Sequence, residues 1–209
     1  MKITKFGHAC LLVEEGSAKL LIDPGTFSEG FEGLTDVSAV LYTHKHPDHF
    51  YADALAKLLE TNPDMRVLAD EGTAAEIGTS DKVEVVHDGD ELDIAGVSVK
   101  GIGSDHAVMH PDQPVDTNVG YLIAGRLFHA GDNYVVPGEP VEILAFASVA
   151  PWAKVSETVD YVRAVAPRIA LPIHDAITTA PDMYAQMIDG MTAADIKLQT
   201  IKDGVSVEF

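Results

Sequence analysis

The segment THKHPDHF, Thr43 to Phe50, places three of the chain's nine histidines and an aspartate within six consecutive positions. Its flanks make it a constraint on the fold. Before it runs AVLYT (39–43), an apolar stretch of the buried-strand type. After it runs YADALAKLLE (51–60), with apolar residues at helical spacing and Asn62-Pro63 to end the helix. A loop held between a strand and a helix is fixed at both ends, which suits an array of ligands. His44 and His46, two apart on an extended backbone, point to one side. Asp48 and His49 lie where the chain turns into the helix and point to a neighbouring position. Imidazoles with a carboxylate suit zinc, iron or manganese. One tetrahedral ion with an open position needs fewer donors from a single loop, which hints at two ions. Taken alone, the segment still allows a plainer reading as a histidine-rich surface loop with loose metal affinity.

The same arrangement recurs along the chain. His106 follows VSVKGIG (97–103), Asp132 follows RLFHAG (126–131) and His174 follows RIALPI (168–173). Each is a metal-capable residue just past the C-terminal end of an apolar strand, and such ends can converge on one edge of a sheet. The remaining pattern is many short strands broken by turns. KITKF, CLLVEE and AKLLID (18–23) come first, then RVLAD (66–70) and a short helix EGTAAEIG (71–78). KVEVVH, DELDIAG, VGYLIAG and VEILAFA (141–147) are further strands. KVSETVDYVRAVAP (154–167) and a segment near 182–190 read as helices, and KLQTI and VSVEF close the chain. Strands meander first and βα units enter later in each half. This order predicts an α+β fold, two sheets face to face with helices outside, in a single domain over residues 1–209.

Composition narrows the function. The chain has 14 Lys+Arg against 33 Asp+Glu and no basic run, which argues against nucleic acid and anionic membrane surfaces as partners. A small-molecule substrate is expected instead, with homo-oligomerisation left open. No apolar run reaches bilayer length, and MKITKFGHAC lacks a long apolar signal region, so a cytoplasmic location is expected. The single cysteine, Cys10, excludes an internal disulfide framework and reads as a small core residue.

HKHPDH matches the H-x-H-x-D-H motif of the metallo-β-lactamase superfamily, with one His, one Asp and one His after later strands. LLIDPG (20–25) resembles that superfamily's first motif. KFGHACLLVE, NVGYLI and FHAGD resemble a small, single-domain hydrolase subgroup related to L-ascorbate-6-phosphate lactonase. The likeness runs from about residue 2 to about residue 175 and implies an αβ/βα sandwich. It also implies two divalent metal ions, zinc first, with manganese or iron as alternatives. His44, His46 and His106 would hold one; Asp48, His49 and His174 the other; Asp132 would bridge them. Such a pair activates water at neutral pH, so the expected reaction is attack of a metal-bridging hydroxide on a lactone, ester or thioester. Asp48 would orient that hydroxide and take up its proton. His46 stands where flavodiiron reductases carry glutamate, which favours hydrolysis. Three departures are Pro47 inside the motif, Asn133, where threonine is usual, and IHDA (173–176), which differs from the lactonase. Two other chemistries occur on the same fold. One is persulfide dioxygenation at a single iron held by His44, His106 and Asp132; the other is phosphodiester cleavage. A non-enzymatic metal-binding protein is the third reading.

Other residues carry weaker signals. His8 lies in a strand pattern near the N-terminus, and a role beside the site weighs evenly against burial in the core. Asp23 reads as structural, bonding loop backbone beneath the ligands. His129 reads as packing behind the Asp132 loop. His110, four residues past His106, is expected to line the mouth or stand exposed. Trp152, beside Pro151, is expected to wall a substrate pocket. His87 reads as a surface turn residue and Lys154 as a solvated helix start.

Overall fold

The computed structural model describes residues 1–78 and 83–209. The first sheet begins as an antiparallel meander of β1 (Lys2–Lys5), β2 (Leu11–Glu15) and β3 (Ala18–Ile22). It continues in parallel through β4 (Ala39–Tyr42), β5 (Arg66–Ala69) and β6 (Val83–Val85). Helices α1 (Ala52–Thr61) and α2 (Glu71–Ile77) connect these parallel strands. The second sheet repeats the scheme. β7 (Glu91–Ile94), β8 (Val97–Ile102), β9 (Gly120–Ile123) and β10 (Leu127–His129) are antiparallel. β11 (Ile143–Ala147), β12 (Ile169–Ile173) and β13 (Lys197–Leu198) then run parallel to β10, with α3 (Val155–Val165) and α4 (Pro181–Asp189) as crossovers. Strand β14 (Ser206–Glu208) returns to pair with β1 in the first sheet.

Alternation within strands explains the layering. In β4, Ala39 and Leu41 face the cluster between the sheets, while Val40 and Tyr42 face α1. In β11, Ile143 and Ala145 face inward, while Leu144 and Phe146 pack under Val159 and Val162 of α3. Both faces of these strands are covered, so they read as continuous apolar runs rather than alternating ones. Helix α1 buries Ala54, Leu55 and Leu58, the helical spacing seen in the sequence. The result is the expected α+β sandwich, two seven-stranded sheets with helices outside. No helix among the described residues is long and apolar enough to cross a membrane.

Three local readings change. KLQTI forms only the two-residue β13, because its remaining residues leave the sheet edge after pairing with β12. The strand placed on KVEVVH is observed over Val83–Val85; its first residue, Lys82, lies outside the described residues. His8 is not in a strand but in the turn between β1 and β2, at φ 46°. Leu41 is fully buried between the sheets, two residues before Thr43. Leu41→Ala is expected to lower unfolding free energy by about 2–5 kcal/mol in a denaturant titration, as deletion of a buried isobutyl group does.

Candidate metal centre

The parallel strands β3, β4 and β5 are followed directly by Asp23, Thr43 and Asp70, β12 is followed by His174, and Asp132 lies three residues past β10. Strand β8 runs parallel to β10 and delivers His106 to the same edge. Ligands collect at such carboxyl ends in open α/β sheets. Here the ends of two sheets meet, and the loops above them carry His44, His46, Asp48, His49, His106, Asp132 and His174.

Each imidazole is fixed from behind. His49 donates Nδ1–H to Asp23 Oδ2 at 2.8 Å. His106 donates Nδ1–H to the Ala107 carbonyl at 2.6 Å, and His174 donates Nδ1–H to the Val149 carbonyl at 2.7 Å. His44 donates Nδ1–H to Thr43 Oγ1 at 3.1 Å, and His46 donates Nε2–H to Asp116 Oδ2 at 3.2 Å. When the rings are neutral, these acceptors set the tautomers and leave a lone pair on the opposite nitrogen of each. The lone-pair nitrogens converge. His44 Nε2 lies 3.1 Å from His46 Nδ1, and both group with His106. A second group gathers Asp48, His49 and His174 with His8. Asp132 sits between them, with Oδ1 3.3 Å from His49 Nε2 and Oδ2 3.1 Å from His174 Nε2 and 3.4 Å from His106 Nε2.

Nε2 of His49, His106 and His174 and Oδ1 of Asp132 are buried without a hydrogen-bond partner. Buried polar atoms are rarely left so. Orphaned imidazole and carboxylate donors aimed at a common space fit a divalent cation, and the residues present therefore suit the expected group.

His8 plays a different part. Its Nδ1 accepts from the Ala176 N–H at 3.3 Å, so Nε2–H donates to Asp48 Oδ2 at 3.1 Å. Its carbonyl also accepts from the His174 N–H at 3.0 Å. Asp23 does more than bond loop backbone: it also accepts from His49 and from the Thr43 hydroxyl. His129 uses both nitrogens, donating to the Ala9 carbonyl and accepting from the Gly131 N–H, which leaves no lone pair for an ion. Trp152 donates Nε1–H to Asp132 Oδ2 at 3.0 Å, so its polar edge holds a carboxylate of the cluster. His110 is exposed and lines a cavity of about 400 Å³ beside His46 and His106, outside the cluster itself. A larger recess of about 630 Å³ lies between α2 and β6, away from these ligands, so size alone does not locate the site. His87 is exposed, and exposed Lys154 pairs with Glu157 at the start of α3. Asn133 bonds the Asp105 carbonyl, tying the Asp132 loop to the His106 loop where threonine is usual.

Sequence reasoning missed Asp116. Its carboxylate takes His46 Nε2–H and Lys45 Nζ, and its main-chain carbonyl accepts from His106 N–H at 2.8 Å. The only signal was a carboxylate shortly before the strand at 120, too common a feature to single out.

Charge in the cluster is partitioned by burial. Burial pushes the His44 pKa well below its ordinary value. Burial also opposes charge on His49, but Asp132 and Asp23 outweigh it and hold the pKa well above. His174 follows the same balance and is raised to about 9, chiefly by Asp132 against burial. Burial raises the Asp48 carboxyl, yet His174 and His8 overcome it and keep it well below the carboxylate range.

This chain belongs to the β-lactamase superfamily domain family, whose profile matches residues 2–174. It is 50% identical over 206 residues to Protein Rv0786c of Mycobacterium tuberculosis, covering 95% of this chain and 96% of that one. A UPF0173 metal-dependent hydrolase of Chelativorans is 46% identical over 67 residues, 29% of this chain and 28% of that protein. The fold matches a metallo hydrolase of Ignicoccus hospitalis at TM-score 0.76 and 20% identity, over 100% of this chain and 98% of that one.

His174, raised to about 9, favours a proton at pH 7 that an ion must displace, and the upward shift of His49 acts in the same sense. Zinc titration at pH 7 is expected to release protons, read by calorimetry in buffers of different ionisation enthalpy. Affinity is expected to rise with pH toward about 9. The sign for folding is opposite: a raised histidine contributes stability below its unfolded value and loses it as pH rises through about 9, so chelated protein is expected to melt lower at pH 9.5 than at pH 6.

Proposed function

We propose that the protein is a metal-dependent hydrolase that cleaves a small ester-type bond, a lactone, ester or thioester, using two divalent ions. One observation carries the reading. Five imidazoles each donate one ring N–H to the protein and turn the other nitrogen toward a shared space, with Asp132 between the two groups. Structural histidines do not need that arrangement; His129, whose nitrogens are both satisfied by backbone, shows the alternative. The lactone preference rests on the motif likeness to the lactonase subgroup. The relatives' hydrolase names support hydrolysis in general.

Divalent ions at these residues supply an activated water at neutral pH and polarise the substrate carbonyl. The chain's own groups do the rest. Asp48, kept ionised by His8 and His174, accepts the proton of the attacking water. The water oxygen bonds to the acyl carbon, the proton passes through Asp48 to the departing alkoxide or thiolate, and acid and alcohol or thiol result. His8 holds Asp48 in place through its Nε2–H. Asp116 and Asp23 keep His46 and His49 aimed.

Elemental analysis of unchelated protein, joined to a screen of lactones, esters, thioesters, phosphodiesters and β-lactams, tests this. Two zinc or manganese ions per chain with ester-type turnover is the expected result. Asp48→Asn is expected to lower kcat by about 10²–10⁴-fold, the range for losing a positioned proton acceptor. One iron per chain with oxygen-dependent persulfide consumption would establish the oxygenase reading instead. Turnover of phosphodiesters alone would overturn the ester assignment.

A further inference from the structure

The cavity beside the cluster indicates what kind of molecule fits. It holds about 400 Å³, with His46 and His106 on one side and the loop over 107–116 on the other. Ala107, Met109, Pro114 and Val115 line it, with His110, Gln113 and Asp116 at its polar margin. Met109 is 56% exposed and Val115 47%. The other site-bearing loops show the same trait: Phe27, also exposed, packs edge-on against His8 at 5.4 Å, and exposed Ile177 follows His174. Apolar side chains left bare around a polar cluster mark a surface meant to be covered by a ligand.

The charges point the same way. Among the described residues, no lysine or arginine lines the cavity. Lys45, the cation inside the metal-binding motif, is held at 2.6 Å by Asp116, which is itself in the cavity wall. Lys5 is buried against Asp175, and Lys154 pairs with Glu157. The cavity loop adds exposed Asp112. At the far end of the acyl group, away from the ions, a phosphate or carboxylate would leave water, meet no lysine or arginine and approach Asp112 and Asp116.

We propose that this cavity receives an uncharged, apolar acyl group, and that substrates bearing a phosphate or carboxylate on that group are excluded. The inference rests on the hydrolytic reading above and narrows it: a phosphorylated lactone of the kind its motif relatives suggest would not fit here.

The test compares matched probes on the protein as purified with its metal. p-Nitrophenyl hexanoate and the mono-p-nitrophenyl ester of adipic acid differ chiefly by a far carboxylate. The neutral ester is expected to have kcat/KM higher by about tenfold or more. Val115→Lys is expected to narrow that gap by raising turnover of the anionic ester. A second readout does not depend on turnover. The ¹³C-methyl resonance of Met109, assigned with Met109→Leu, is expected to shift on titration with hexanamide and not with adipic acid monoamide. Equal or better turnover of the anionic ester would overturn the inference and leave the hydrolase reading intact. No movement of Met109 with either amide would also overturn it. A selective shift by hexanamide with neither ester turned over would support the pocket assignment and remove the ester reading instead.

Discussion

The carboxylate of Asp23 has no solvent exposure and accepts three hydrogen bonds, from the Thr43 N–H, the Thr43 hydroxyl and His49 Nδ1–H. A buried carboxylate without such donors would cost several kcal/mol. Meeting that need ties the end of β3 to the turn after β4, and the bonds reach further than one loop. Thr43 Oγ1, fixed by Asp23, accepts from His44, so one carboxylate orients a ring in each of the two ligand groups. The backbone bends to allow it: Asp23 lies at φ 48°, a conformation that L-residues other than asparagine and aspartate rarely hold. Gly25 follows from the same crowding, since a methyl group there would overlap the Asp48 carbonyl.

The layered fold and the gathering of the ligands were legible because both follow from short-range pattern. A metal-capable residue just past an apolar strand identifies a strand end, and parallel strands put their ends on one edge. What stayed hidden were contacts made by side chains far apart in sequence. Asp116 meets His46 across 70 residues, and Trp152 meets Asp132 across 20. No periodicity reports such a pairing. His8 was misplaced in a strand because its apolar neighbours in ACLLV continue the strand pattern, while the turn is set by Gly7 at φ 93° and by His8's own left-handed backbone. KLQTI looked like a full strand because alternation does not tell an edge segment that pairs for two residues from one that pairs for five.

Acidic composition and a metal-capable centre coexist because the charges lie in different dielectric surroundings. Exposed carboxylates are screened by water and salt. Asp23 and Asp132 are buried, so water screens their fields less, and this raises His49 and His174, while burial first and the neighbouring histidines second depress His44. The few cations near the mouth are each matched to a carboxylate, which leaves the approach to the centre apolar or negative.

The two sheets share one strand scheme, an antiparallel meander followed by parallel strands, so β3 and β10 are topological counterparts. Each is followed by a buried aspartate, Asp23 in one half and Asp132 in the other. The counterparts have diverged in task. Asp23 accepts from one ring nitrogen, His49 Nδ1, and Asp132 faces the Nε2 atoms of His49, His106 and His174. Each half thus brings one buried carboxylate to the same histidine, one to each of its ring nitrogens. Exchanging either carboxylate for its amide would therefore damage opposite sides of one histidine, His49: its hold on the scaffold in the first case, its open face in the second.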